Sequence, residues 1–265
     1  MNKVLFQCFL ILSPAIVGIF YPLQEIAYAV FSLWGADVSK FDESIKSIIK
    51  NETVISIVCG AILSIIIYIL IRRINKNKVF NTGDKYNDHP LWVYWLASKI
   101  LGYGKVSLVR VPIYLQYKLL LNDIFPESIV DSAVKEVDQS VVVTERNMEY
   151  PSNELNLVLI DTYEIANSQI PLNKYHLPTL SIRSGNETDN NRSLNPEFIK
   201  EIRKKTNDHS KSYKQLNVFS TTNTNHNQLI VYKCFKNGNR TGFKSIFVYQ
   251  ASRGNFVFNR GYKVL

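Results

Sequence analysis

Residues 53–71 read TVISIVCGAILSIIIYILI, nineteen residues with no charge and only Thr53, Ser56, Ser64 and Tyr68 as polar members. At 1.5 Å per residue a helix of that length is roughly 28 Å long, close to the hydrocarbon thickness of a bilayer. A helix buried in a water-soluble domain seldom needs to be apolar on every face. The run stops at Arg72-Arg73, with Lys76 and Lys78 just beyond and no acid before Asp84. Positive charge against one end of a span marks the cytoplasmic side. Residues 53–71 therefore read as a membrane span that ends in the cytoplasm, and the rest of the chain as a tethered cytoplasmic domain.

Upstream lies a second apolar run, VLFQCFLILSPAIVGIF (residues 4–20), in which Pro14 is expected to kink a helix and Pro22 to end or bend it. The reading is a first span over about residues 4–31, with Trp34 near the outer interface. A cleaved signal peptide ending at Ala27-Tyr28-Ala29 competes with it. The single Lys3 and the proline in mid-run favour the retained span. The segment between the runs is polar and close to neutral, with a short stripe at Ser44, Ile45, Ile48 and Ile49. Both termini then face the cytoplasm, and residues 1–75 form a two-helix hairpin with a basic collar.

The net charge of +9 is unevenly placed. Residues 1–71 hold four Lys and five acids, whereas residues 72–265 hold 27 basic and 17 acidic groups. The basic excess belongs to the soluble part, residues 76–265, and points to an anionic partner: nucleic acid, a nucleotide or inner-membrane lipid. Cys8, Cys59 and Cys234 make no disulfide framework or metal pair, and the four His are scattered. Neither a metal nor a cofactor is expected.

After the collar, Asp88-His89-Pro90 precedes LWVYWLASKIL (residues 91–101), a helix with Asp88 as N-cap. Its two Trp and one Tyr lie either at the membrane interface or in the core of the soluble domain. Further on, 106–111 reads as a strand, 114–123 and 128–137 as helices, and LNLVLI (155–160) as a buried strand. Residues 178–183 form the next strand, and a helix runs from Asn195-Pro196 to Lys205. LNVFST, NQLIVYKCF, FKSIFVYQ and NFVF follow with strand signals. Strands interleaved with helices indicate an α/β (α+β) domain with a mixed sheet.

Two constellations carry candidate chemistry. Residues 209–265 contain nine Lys or Arg and no acid, with ten aromatics interleaved. Lys233, Lys236, Arg240, Lys244, Arg253 and Arg260 would hold phosphates while rings stack on bases. The plainer reading is an ordinary sheet with its rings in the core. The second constellation lies just past strand ends: Asp161, Arg183, Thr222 and Asn223, where an open α/β sheet lines its ligand crevice. Hydroxyl- and Asn-rich turns also occur there without a ligand. His226 has no carboxylate near it in sequence, and GxSxG and P-loop motifs are absent. Nothing makes a positive case for an enzyme. In the second span, Ser56, Gly60 and Ser64 recur at spacing four and offer a small-residue face through which spans of several copies would meet.

The segments TVISIVCGAILSIIIYILIRR, DHPLWVYWLASKILGYGK, LVLIDTYEI and LNVFSTTN together resemble the two-transmembrane effector proteins of bacterial retrons. That resemblance implies an antiphage toxin of the abortive-infection kind. It would be restrained by a reverse transcriptase with RNA-linked DNA and would act on the inner membrane as an oligomer once released. The architecture is also similar to two-span antiviral effectors gated by nucleotide messengers, and a membrane-tethered nucleotide-processing enzyme is a further alternative.

Overall fold

The computed structural model describes residues 2–20, 33, 51–83, 85–131, 135–185, 193–236, 242–252 and 254–265. Arg240 and Arg253, the continuation of the first span through residue 31, and the stripe at 44–49 lie outside these. The chain divides into two units, Met1–Phe80 with Trp92–Gly104, and Asn81–Leu91 with Lys105–Leu265.

The first unit is built on two long helices, α1 (Asn2–Phe20) and α2 (Glu52–Asn75). Both are long and apolar enough to cross a membrane, and few of their residues are buried inside the protein. Leu5, Phe6, Phe9, Ile62, Ile65 and Ile69 all point outward. Such a surface is stable only against lipid. Asn51 caps α2, its side chain accepting from the Val54 N–H at 3.2 Å.

Pro14 sits inside α1 without ending it, and its surroundings explain how. A proline at this position cannot bond the carbonyl four residues back, and the Ser13 hydroxyl donates to that Leu10 carbonyl instead, at 3.2 Å. The next amide, Ala15 N–H, crosses the hairpin to Ser64 Oγ at 3.1 Å. Gly60 makes the approach possible: a Cβ there would stand 2.5 Å from the Pro14 carbonyl oxygen. One turn away, a Cβ on Gly18 would stand 2.4 Å from the Ser56 carbonyl oxygen. The face of Ser56, Gly60 and Ser64 is thus occupied by the first span of the same chain. The close approach was expected between separate copies; here Gly18 and Gly60 allow it between the two spans of one chain, and Ser64 accepts from the Ala15 amide.

Helix α3 (Leu91–Trp95) continues as a π-turn, Leu96–Ile100. Arg72 donates to the carbonyls of Lys99 and Ile100 at 2.6 and 3.3 Å and to Tyr68 Oη at 3.0 Å. Asn75 donates to Leu101 O at 3.0 Å. Gly102, at φ +76°, lies where a Cβ would touch Arg72 at 3.0 Å. Phe80 packs edge-on against Tyr94 and Tyr103, both at 5.4 Å.

The second unit opens with β1 (Lys105–Ser107), α4 (Ile113–Leu121), β2 (Glu127–Ile129), β3 (Lys135–Glu136) and β4 (Val141–Arg146). β5 (Glu154–Ile160), α5 (Leu172–Tyr175), β6 (Thr179–Ser184), β7 (Ser193–Leu194) and α6 (Pro196–His209) follow. The chain ends with β8 (Gln215–Ser220), α7 (Thr224–Ile230) running into a second π-turn (Val231–Phe235), β9 (Ser245–Gln250) and β10 (Arg260–Lys263). A mixed six-stranded sheet has the order β10-β9-β8-β5-β6-β4. Its four inner strands run parallel and the two edges antiparallel. β1 pairs with β2, and β3 with β7.

Leu155, Leu157, Leu159, Leu180, Ile182, Leu216 and Val218 are fully buried. A sheet face of this kind needs a helical cover, and Phe198, Ile199 and Ile202 are the buried residues of α6. The opposite face carries a smaller core of Val158, Ile160, Ile165, Ile170, Phe219 and Phe258.

Four expected elements differ. The strand expected over 106–111 is only the short β1, Lys105–Ser107, with a turn after it. Residues 128–137, expected helical, contain β2 and β3 where described. NQLIVYKCF, expected as a strand, is α7 with its π-turn, because Asn223 caps a helix there through the His226 N–H at 2.9 Å. NFVF is a turn, and the last strand starts at Arg260 instead. Asp88 is not the cap of α3; its carboxylate accepts from Tyr114 Oη at 3.1 Å.

Candidate functional site at the carboxyl edge of the sheet

From β5 the chain proceeds to β6 on one side, and from β8 it proceeds to β9 on the other. The carboxyl ends of β5 and β8 therefore flank a topological switch point, where open α/β sheets form their crevice. Asp161 follows β5, and Thr221, Thr222 and Asn223 follow β8.

Asp161 Oδ2 accepts from the backbone N–H of Asn223 and from its Nδ2, both at 3.0 Å. It also accepts from His226 Nδ1 at 2.7 Å. The Asn195 backbone N–H donates to His226 Nε2 at 2.9 Å. A backbone amide can only donate, so Nε2 carries the lone pair and the proton resides on Nδ1. The Asp161 and His226 side chains are 4% and 0% exposed. A buried carboxylate is stable when its acceptor capacity is met, and here three donors meet it. As built, the imidazole has no lone pair left for a substrate proton. The dyad holds two loops together.

The network continues outward. Asn195 Nδ2 donates to Ser184 Oγ at 3.0 Å and to Gln139 O at 3.1 Å, and Asn223 Nδ2 donates to Ser193 O at 2.9 Å. Thr222 Oγ1 donates to Asn227 Oδ1 at 2.5 Å, and Asn227 Nδ2 donates to Gln116 at 2.9 Å. Thr222 and Asn223, expected to hold a ligand, are buried and engaged in these contacts. The two loops are also stitched directly: Thr162 Oγ1 donates to Thr221 O at 2.5 Å, and Thr221 Oγ1 to Tyr163 O at 2.7 Å.

Arg183 stands at the end of β6, in register with Ile160 of β5. Its guanidinium forks onto both carboxylate oxygens of Glu164, with Nη2 to Oε2 at 2.6 Å. Such a planar fork suits a carboxylate or a phosphate equally. Of the crevice residues expected from the sequence, Asp161, Thr222 and Asn223 come together around His226, and Arg183 lies on the neighbouring strand end. The sequence showed neither the carboxylate that orients His226, 65 residues away, nor the part of Asn195. One signal was available: Asp161 and His226 both stand just beyond runs that read as adjacent buried strands.

The acid-free tail does not assemble the expected stacking surface. Phe219, Phe235, Phe243 and Phe258 are buried, and only Tyr232 and Phe256 of the ten rings are exposed. Tyr213, Phe247, Tyr249 and Tyr262 are half-buried. Lys244 precedes β9, whereas Arg260 pairs with Gln250 at the other end of that strand. The two cations are therefore at opposite ends of the sheet. Lys236 pairs with Asp123 and lies over the Tyr232 ring at 5.2 Å; Lys233 is exposed on the π-turn. For Lys236 the acid is supplied from elsewhere in the chain. Among the described residues there is no cluster of His, Cys, Asp or Glu that would hold a metal ion.

A comparison with curated proteins finds no match. Among solved structures, the chain is similar to the Acinetobacter baumannii Cap4 SAVED/CARF-domain containing receptor with the cyclic trinucleotide 3'3'3'-cAAA, at 11% identity and TM-score 0.46. It is similar to the same receptor with 2'3'3'-cAAA at 13% identity and TM-score 0.43. The first match covers 83% of this chain and 60% of the receptor, the second 64% and 41%. The chain thus spans less than two thirds of the receptor's length. The family pattern described as "SMODS- and Ubiquitin system-associated 2TM effector domain" matches residues 2–265. That description names systems other than retrons. With its two apolar helices and mixed six-stranded α/β domain, the chain belongs to this family of two-transmembrane antiphage effectors.

Proposed function

We propose that the chain is a membrane-tethered effector gated by a small anionic ligand of the nucleotide-messenger class. The ligand enters at the carboxyl edge of the sheet, and its binding makes the protein damage the bacterial inner membrane. The observation that carries this reading is the switch point between β5 and β8, with the Arg183 fork at the next strand end and a basic excess on the domain. Phosphate oxygens would compete with Glu164 for that fork, and Thr162 with Thr221 would part to admit the sugar. Arg72, Arg73, Lys76 and Lys78 support an orientation with both termini in the cytoplasm, where such a messenger is made. The reverse transcriptase implied by the retron resemblance has no comparable support, and neither has nucleic acid held by the tail cations, since the described ones, Lys233, Lys236, Lys244 and Arg260, are dispersed.

The test is thermal unfolding of the full chain in lipid nanodiscs with cyclic di- and trinucleotides, linear mononucleotides or inorganic phosphate. A ligand at 100 times its Kd adds about 2.7 kcal/mol to stability. Stabilisation by a cyclic oligonucleotide that Arg183→Ala abolishes is the expected result, together with depolarisation of vesicles on its addition. Absence of a shift with every nucleotide would overturn the reading.

A further inference from the structure

The face that α3 and its π-turn turn away from the protein is unlike the outer face of a soluble helix. Val93, Tyr94, Ala97 and Leu101 are fully buried, so the outward positions are Trp92, Trp95 and Lys99, at spacings of three and four. Trp92 is 49% and Trp95 45% exposed. Two indoles on the outside with a single cation is the composition favoured at a membrane–water interface, where an amphipathic ring has one apolar and one hydrated side. The position along the membrane normal is fixed as well. Arg72, the first charge after the span, holds the carbonyls of Lys99 and Ile100, and Asn75 holds Leu101 O. The π-turn is therefore tied to the turn at which α2 leaves the hydrocarbon. Arg73, Lys76 and Lys78 are exposed beside it, and no Asp or Glu occurs from residue 53 to residue 83.

We infer that residues Leu91–Ile100 form an in-plane anchor. The Trp92–Trp95–Lys99 face lies in the headgroup layer of the leaflet where α2 ends, against anionic lipid. The occupant is lipid because the face continues the lipid-exposed surface of α2 and because the exposed charges that α2 places beside it, Arg73, Lys76 and Lys78, are positive. This inference rests on the spans alone and is independent of any ligand at the sheet edge.

The experiment uses tryptophan fluorescence of the full chain in nanodiscs containing phosphatidylglycerol. The sequence has three Trp, so Trp34→Phe leaves the pair, and adding Trp92→Phe or Trp95→Phe leaves each ring alone. Lipids brominated near the headgroup should remove most of the emission of both rings. Lipids brominated deep in the acyl chain should quench weakly, and aqueous acrylamide should quench weakly too. Strong acrylamide quenching with no effect of brominated lipid would place the face in water and overturn the inference. Protection from both quenchers would mean a protein, such as a second copy, covers the face. Stronger quenching from the deep position would exclude the headgroup layer. Both of these results would also overturn it. Trp34→Phe alone, which leaves both rings of the face, gives the comparison should a double variant misfold.

Discussion

Asp161 and His226 are separated by 65 residues and joined by a 2.7 Å hydrogen bond beyond the ends of β5 and β8. With the Asn195 amide on the other ring nitrogen, the bond ties together three segments: the exits of β5 and β8 and the start of α6. The pair sits inside the protein, so its first effect is on stability.

Replacing Asp161 by Ala strands the His226 Nδ1–H and two donors of Asn223 in a buried place. The expected loss is roughly 2–4 kcal/mol, since an unsatisfied buried group costs about 1–3 kcal/mol and more than one is left. Thermal or denaturant unfolding of the detergent-solubilised chain measures it. A loss below 0.5 kcal/mol, the scale of a surface substitution, would show that the network is not formed as described.

His226 should carry its proton on Nδ1. Nitrogen-15 spectra of the imidazole should show an unprotonated Nε2, and Asn195→Pro, which removes the donating amide, should change that resonance. A protonated Nε2 in the unsubstituted chain would contradict the assignment.

Across the hairpin, Ala15→Cys and Ser64→Cys should cross-link within one chain, the wild-type pair being in hydrogen-bond contact. A protease site placed between the spans makes the product readable, because cross-linked halves stay together after cleavage. Adding Gly60→Leu should suppress the cross-link, whereas Ile65→Leu, on the lipid side, should leave it intact. Equal cross-linking with Gly60→Leu would count against the close packing of the helices.

Acid stability should depend on Glu154. Burial pushes its carboxyl up, but hydrogen bonds from Asn217 and Lys174 and the Lys174 charge outweigh it, so the carboxyl is held below its usual range. Lys174 Nζ is 2.5 Å from Glu154 Oε2. A carboxyl depressed in the folded state stabilises the protein above the unfolded value near 4.5, and this contribution is lost as pH falls through the folded value. Glu154→Gln should lower stability at neutral pH and flatten the acid limb of the stability curve. An unchanged acid limb would remove Glu154 from the account.

Much of the architecture was legible where residues had no competing interpretation. TVISIVCGAILSIIIYILI and LNLVLI are apolar without interruption, and LNVFST ends a buried run at a polar turn. QLIVYKC was misread because a short run of β-branched and aromatic residues suits a strand as well as a buried helix. The Asn223 cap that decided it is a long-range partner of Asp161 as well as a local signal. Gly60 and Ser64 were visible as a small-residue face, yet the face had to be matched with Pro14 before its partner was clear. A carbonyl left without its donor by a proline in a membrane must find one inside the protein, and Ser13 supplies it to Leu10 while Ser64 accepts from the Ala15 amide across the hairpin.

The meshing of Pro14 with Gly60 has a consequence for assembly. Among the described residues the outward faces of the two helices are mainly Leu, Ile, Val and Phe side chains, for which lipid tails are an equally good neighbour. The spans by themselves then carry little preference for each other over the bilayer. Stoichiometry and timing of any multimer are then left to the α/β domain, and the membrane portion follows like the blades of scissors whose handles lie elsewhere.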